Sequence, residues 1–317
     1  MKPKALVLAG NSFLGRHLCD CLRARGMAVV PTTRRGALGT LPCDVTAAAD
    51  VRRVLAASQP DWVFSCAAAT SPNVAPTELY AVHVMGTLNL LEAMSESTPE
   101  ATAVLFGSAA EYGAVPEEAL PVGESYKEAP TSFFGASKLT QTHLALASAR
   151  ERGLRVLVLR PFNLLGPGLP GHYLATALAR RLLAEEGIDE PFAVTNGHAT
   201  RDFVDVRDVA EAAVLLVEWG RARPGEGQVF NVASGQETAV LDVAAKLCAM
   251  SGRRRAVDAG IGPSRSGVTR SRGDASRARA AGWVPRIDWE QSLEDLWRAT
   301  YSAPTRPTRT RVKQPLP

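Results

Sequence analysis

No apolar run in this chain reaches the ~18 residues that a membrane-spanning helix requires, so the sequence offers no candidate span. Its cysteines, Cys19, Cys21, Cys43, Cys66 and Cys248, are odd in number and form no CxxC pair. That excludes a fully paired disulfide frame and argues against a thiolate metal site, leaving buried free thiols. Lysine is scarce, six beside thirty arginines among many alanines, a bias that suggests a GC-rich genome. The net charge of +4 comes largely from the tail "PTRPTRTRVKQPLP", so the body is near neutral. A nucleic-acid footprint is therefore missing. The opening "MKPKALVLAG" goes straight into a strand-like run and lacks a signal peptide's apolar core and cleavage pattern. The expectation is a soluble, cytoplasmic protein with neither nucleic acid nor membrane as partner.

What is present is an alternation. Apolar residues make up 46%, ample for a buried core. "KALVLAG", "MAVVPTTR", "DWVFSCAA", "TAVLFGSA" and "LRVLVLRPFN" read as strands, nearly all apolar as strands covered on both faces should be. Between them "FLGRHLCDCLRARG", "TAAADVRRVLAASQ" (Thr46 as N-cap), "TELYAVHVMGTLNLLEAMSE" and "SFFGASKLTQTHLALASARERG" read as helices. Such repetition predicts an α/β protein with a doubly wound parallel sheet. After "RPFNLLGPG" the rhythm changes. "VDVRDVAEAAVLLVEW" is one more helix, "GQVFNVAS" a returning strand, and a basic Gly/Ser-rich loop spans 262–275. The expected organisation is a nucleotide-binding domain over 1–165 with 203–233 returning to it. A smaller C-terminal substrate-binding lobe follows from 166–202 and 234–301, with a disordered tail over 302–317.

The first strand passes into the first helix through "LAGNSFLGRHL". A dinucleotide site needs a tight turn here, so that helix amides meet a pyrophosphate. Gly10 and Gly15 are present, Ala9 and Ser12 fill the other glycine places, and Phe13 and Leu14 begin the helix. Ser12 would be strained if its φ were positive. A plain strand–helix turn is the competing explanation. The second strand ends "VVPTTRRG", with Thr33 where an NAD site wants an acid, followed by Arg34 and Arg35. Guanidinium groups bond a 2′-phosphate that a carboxylate would repel, which predicts NADPH over NADH. Solvated surface charge is the alternative. In "CDVT", Asp44 with Val45 is placed to meet an adenine. In "CAAAT", Cys66, Ala67 and Ala68 let a cofactor pass close to the backbone. Together these features make the fold a Rossmann-type one.

Taken in order, these stretches and "HVMGTLNLLEA", "FGSAAEYG", "GASK", "RPFNLLGPG", "RDFVDVRDVA" and "FNVASG" resemble the extended short-chain dehydrogenase/reductase family, the NAD-dependent epimerase/dehydratase group. The branch with the most similar "GS..EYG" and "RDF.DVRDV" stretches is that of the GDP-4-keto-6-deoxymannose reductases. The resemblance covers about residues 4–300. It implies that Ser108 is the active-site Ser/Thr and that Lys138 is the lysine that holds the nicotinamide ribose. It places Pro161 and Asn163 beside the cofactor, and Ala110, Tyr112, Asn163 and Arg201 with the substrate. His83 stands where the family usually has Asn. The helices over 77–97 and 132–152 pair in many relatives, so a homodimer is one expectation and a packed monomer core the other.

The departure that matters is in "SFFGASKLT". By the resemblance, Phe134 occupies the place of the tyrosine that gives the proton to the alkoxide. Three readings follow. The site is dead and only binds cofactor. Or another group donates, with Tyr112, Tyr126, Tyr173 and His172 as candidates that equally suit packing or surface roles. Or the substrate brings its own acid. A ketone peri to a phenol has this property, and hydroxylated aromatic polyketides carry it. The expectation is NADPH-dependent reduction of such a ketone, against an apolar wall supplied by Phe134.

Overall fold

The computed structural model describes residues 3–185, 190–220, 224–252, 255–260 and 268–301. The expected tail and residues 262–267 of the expected loop lie outside them. Apolar runs too short for helices form a seven-stranded parallel sheet. Its strands are β1 (Lys4–Leu8), β2 (Ala28–Thr33), β3 (Leu41–Pro42), β4 (Trp62–Ser65), β5 (Thr102–Phe106) and β6 (Arg155–Pro161), with a late strand, Gly227–Val232, beside β6. Three further pairs join Asn163–Leu165 (β7) to Phe203–Asp205 (β10), Phe192–Thr195 (β8) to Val257–Gly260 (β13), and Thr200–Arg201 (β9) to Thr238–Ala239 (β12). The late sheet strand is thus β11, and the order is β11-β6-β5-β4-β1-β2-β3. The chain reverses direction across the sheet between β1 and β4, where open α/β sheets bind ligands beyond the strand ends.

Alternation along β1 explains why helices cover both faces. Ala5 and Val7 join one core cluster with Leu18, Leu22, Val209 and Ala213, from the helices Phe13–Ala24 (α1) and Val206–Gly220 (α7). Leu6 and Leu8 join another with Val51, Leu90, Met94 and Ala145, from Ala48–Ser58 (α2), Gly86–Ser97 (α4) and Phe133–Arg152 (α5). Every residue of β5 is buried, as expected of a central strand. A third cluster packs Leu178 and Leu182 of α6 (Leu174–Ala184) and Val243 and Leu247 of α8 (Val240–Met250) against Leu293 of α10 (Trp289–Tyr301). Two short helices, α3 (Pro76–Tyr80) and α9 (Ser276–Ala280), lie among the longer ones. No helix among the described residues is long and apolar enough to cross a membrane. None of the five cysteines is in a disulfide, and four are buried.

Two local expectations fail. Thr46 does not cap α2; the N-cap is Ala47, without a side-chain bond, because the Thr46 hydroxyl is taken by Asp44 Oδ1 at 2.7 Å. The long helix predicted over 77–96 is continuous, but a π-turn, Ala81–Met85, interrupts its α geometry between α3 and α4. Such turns gather at functional sites, and this one carries His83.

Candidate active site

The β1–α1 turn closes tightly. Gly10 donates to the Thr32 carbonyl (2.8 Å), Ser12 to that of Ala9 (2.9 Å), and the Gly15 amide to Ser12 Oγ (3.1 Å). The strained residue is Ala9, with φ of 54°, and not Ser12, whose φ is −66°. Ser12 is instead the N-cap of α1. A Cβ on Gly15 would lie 2.3 Å from the Ala9 carbonyl oxygen, so the helix start approaches the strand only because Gly15 has none. This is the cradle a dinucleotide pyrophosphate requires, and the residues present fit it. Phe13 and Leu14 face the same cavity as Ser12.

At the end of β2, Thr33 is buried and its hydroxyl lies 3.1 Å from that of Thr40. Arg34 and Arg35 are exposed. Arg34 Nε donates to Asp44 Oδ2 at 2.7 Å, and Thr46 donates twice to Asp44 Oδ1. Burial pushes the Asp44 carboxyl up, but the bonds from Thr46 and Arg34 hold it below the usual range. Asp44 is therefore oriented by protein groups, and its carboxylate keeps a lone pair with which to accept a further bond. Val45 is buried, with its carbonyl accepting from Asn89 Nδ2 (3.0 Å). Gly10, Gly15, Thr33, Arg34, Arg35, Asp44 and Val45 all lie outside the cavity wall.

The cavity, about 540 Å³, opens at the carboxyl ends of the strands. It gathers Ser12, Phe13, Leu14, Cys66, Ala67, Ala68, Pro161 and Asn163 of the expected cofactor set. It also gathers Ser108, Ala110, Tyr112, Phe134, Lys138 and Arg201 of the expected catalytic and substrate sets. Phe106, Phe162, Val122, Leu120, Leu164 and Pro170 make much of the remaining wall carbon. Arg270 and Thr70 line it as well, two residues the sequence reading passed over.

Lys138 projects from α5 beneath Phe134. It is 3% exposed, and its Nζ donates to the Phe106 carbonyl (2.7 Å) and to Gln141 Oε1 (2.9 Å). Burial lowers its pKa to about 8, opposed by the charge of Glu111. The Ser108 amide donates to Glu111 Oε1 (2.8 Å), while Ser108 Oγ accepts from the Ala110 amide (3.1 Å). The hydroxyl hydrogen of Ser108 thus keeps its freedom to meet a carbonyl oxygen. Gly135 permits this closeness, since a Cβ there would lie 2.4 Å from the Ala110 carbonyl oxygen.

Phe134 meets His83 edge to face, with centroids 5.6 Å apart. The Ala69 amide donates to His83 Nε2 at 3.1 Å, so the imidazole proton belongs on Nδ1, 2.8 Å from Ser137 Oγ. Burial, and then the charge of Lys138, push the His83 pKa down to about 3. His83 is neutral and serves as a spacer between the β4 loop and α5.

The candidate substitute donors divide. Tyr112 lines the cavity by its ring alone; its hydroxyl donates to Asn231 Oδ1 (2.7 Å) and accepts from Arg160 (3.1 Å), turned into the protein. Tyr126 and His172 are absent from the cavity wall. Tyr173 lines it, interacting with Thr70, which opposes the rise that burial imposes on its pKa. Thr70 Oγ1 lies 3.3 Å from Nε2 of the exposed His172. Arg201 donates to the carbonyls of Thr200 (2.7 Å) and Val268 (3.1 Å), and burial lowers its pKa.

The family model described as "NAD dependent epimerase/dehydratase family" matches residues 5–233. GDP-6-deoxy-D-mannose reductase of Pseudomonas aeruginosa is 32% identical over 225 residues, 70% of this chain and 73% of that one. The dTDP-6-deoxy-L-talose 4-dehydrogenase (NAD(P)(+)) of Kitasatospora kifunensis is 29% identical over 323 residues, 95% and 96% of the two chains. Among solved structures, RMD from Pseudomonas aeruginosa complexed with NADPH superposes with a TM-score of 0.82 at 28% identity, covering 94% of this chain and 98% of that one.

Proposed function

Since the chain belongs to the NAD dependent epimerase/dehydratase family, a nicotinamide-dependent enzyme, we propose that it is an NADPH-dependent ketoreductase whose substrate is a flat aromatic polyketide of the angucyclinone type. The ketone would stand peri to a phenol. One observation carries this reading: the place of the family's proton-donating tyrosine is filled by Phe134, in a cavity walled largely by carbon. The division of labour follows the segments. Residues 1–165 with 203–233 hold the cofactor, and 166–202 with 234–301 close over the substrate.

Ser12, Phe13 and Leu14 would hold the pyrophosphate, Arg34 and Arg35 a 2′-phosphate, and Lys138 the nicotinamide ribose. The cofactor, when bound, supplies a hydride from C4 of its nicotinamide. Ser108 donates a hydrogen bond from its hydroxyl to the carbonyl oxygen and keeps its proton. Lys138 keeps the floor of the site positive as negative charge grows on that oxygen. Phe134 cannot donate; it presents an apolar face to the ring system. The phenol of the substrate closes a six-membered hydrogen-bonded ring with the carbonyl, stabilises the alkoxide and yields its proton, which solvent restores. Ketone, hydride and one proton give the alcohol.

A second reading is a nucleotide-sugar reductase. Arg201 in the cavity wall suits a diphosphate, with Arg270 beside it paired to Glu117 and Glu237, and the two named curated relatives act on nucleotide sugars by their names. For substrate class the relatives favour this second reading, and the loss of the tyrosine favours the first. Consumption of NADPH, followed by absorbance, separates them with two probes: a peri-hydroxylated angucyclinone and GDP-4-keto-6-deoxymannose. Oxidation with the first probe alone supports the ketoreductase; oxidation with the second alone replaces it.

A further inference from the structure

Behind Ser108 lies a buried carboxylate that the reaction above does not use. Glu111 is 0% exposed, at the end of the single turn Ala109–Glu111. Its Oε1 accepts the Ser108 amide (2.8 Å), and its Oε2 accepts Thr142 Oγ1 (3.0 Å) and Arg160 Nε (2.7 Å). Thr142 sits one turn beyond Lys138 on α5. Arg160, 1% exposed on β6, also donates to Glu128 (2.7 Å) and to the Tyr112 hydroxyl (3.1 Å). A Cβ on residue 107 would lie 2.3 Å from Glu111 Oε1, so the carboxylate reaches the loop only because Gly107 precedes Ser108.

We propose that Glu111 is a positioning residue that clamps the Ser108 loop to the helix bearing Phe134 and Lys138, fixing the hydroxyl and the ammonium at one spacing. The clamp rests on the reading of Ser108 as facing the ketone and Lys138 the cofactor. One carboxylate ties three elements that would otherwise adjust independently: the loop after β5, α5 and β6. A misplacement of about 1 Å can cost ~10²-fold in rate, so such a tie matters where no tyrosine helps to fix the carbonyl. Burial pushes the Glu111 carboxyl up, while Arg160, the Ser108 amide and Thr142 oppose this. The titratable groups that face Lys138 are Glu111, Cys66 and His83. Glu111 raises the Lys138 pKa, so removing its charge would make Lys138 lose its proton at lower pH.

The test uses the full chain with Glu111→Gln and Thr142→Val. Steady-state rates are measured with the peri-hydroxylated angucyclinone, and NADPH affinity is measured by fluorescence across pH. Glu111→Gln is expected to lower kcat ~10-fold to 10²-fold with KM within ~3-fold, and to move the alkaline loss of NADPH binding to lower pH. Thr142→Val, which cuts only the α5 arm, is expected to lower kcat less and leave that pH limb in place. A folded Glu111→Gln with unchanged kcat, or an unmoved limb, overturns the clamp. If Glu111→Gln does not fold, an unchanged kcat in Thr142→Val overturns it and a drop supports it. If the wild type oxidises NADPH with no ketone, the functional reading fails, and the binding limb still decides the clamp: a shift supports it, no shift overturns it.

Discussion

His83 Nδ1 stands 2.8 Å from Ser137 Oγ, and that serine oxygen donates to the carbonyl of Phe134 at 2.8 Å. The residue in the usual asparagine's place therefore holds the residue in the usual tyrosine's place, through one hydroxyl. Both departures from the family pattern lie in one packed contact.

This contact makes an acid-sensitive fold. The His83 pKa is pushed from 6.5 to about 3 by burial and by Lys138, so the unfolded chain binds the proton first. Stability is then full above the unfolded value near 6.5 and falls as pH drops from there toward 3, at up to ~1.4 kcal/mol per pH unit for this one site. In His83→Asn the asparagine cannot titrate. Urea melts of both proteins from pH 7 to pH 4 should show a shallower loss in the variant; parallel curves would refute the assignment.

Lys138 should set the alkaline side of activity. Its pKa is lowered to about 8 by burial, so kcat/KM and NADPH affinity should fall as pH rises through about 8. Lys138→Arg keeps its charge there and should carry its reduced activity to higher pH. Lys138→Met should lose ~10²-fold in kcat at pH 7. Rate and binding profiles over pH 6–10 decide both points.

Tyr173 is the phenol in the cavity whose hydroxyl is not committed to the buried network around Arg160. If the substrate supplies the proton, Tyr173→Phe should change kcat/KM by less than ~3-fold. A loss of ~10² or more would make Tyr173 the acid. The comparison needs one substrate and two proteins.

Cofactor preference should follow the exposed arginines after β2. Arg34→Ala removes a guanidinium and also frees the Asp44 carboxylate it binds at 2.7 Å, which would then repel a 2′-phosphate. The KM for NADPH should rise ~10-fold or more, with that for NADH little changed; Arg35→Ala should act the same way, less strongly. Equal effects on both cofactors would place the arginines outside the site.

The sheet was legible because its strands are apolar on both faces, and such runs have few other fates. Ser108, Phe134 and Lys138 were legible through the family resemblance of "FGSAAEYG" and "SFFGASKLT", stretches that fold locally. Other features depend on partners far away in the chain. Nothing near Ala9 says that it, and not Ser12, takes the left-handed backbone. That Arg34 and Thr46 orient the Asp44 carboxylate depends on how the loop after β2 folds back. The direction of the Tyr112 hydroxyl is decided by Arg160 and by Asn231, 119 residues away. Glu111 was in view within "FGSAAEYG", and the signal was a lone acid among small residues. Only β6, by supplying Arg160, shows that the acid is buried. Arg270 and Thr70 come from loops whose position the sequence pattern leaves open.

The most direct measurement is single-turnover oxidation of NADPH with a peri-hydroxylated angucyclinone and with its O-methyl ether, in the wild type and in Phe134→Tyr. Methylation should slow the wild type by ~10² or more without weakening binding, and the tyrosine should recover the ether while barely changing the parent phenol. Equal rates of the wild type on phenol and ether would contradict the account.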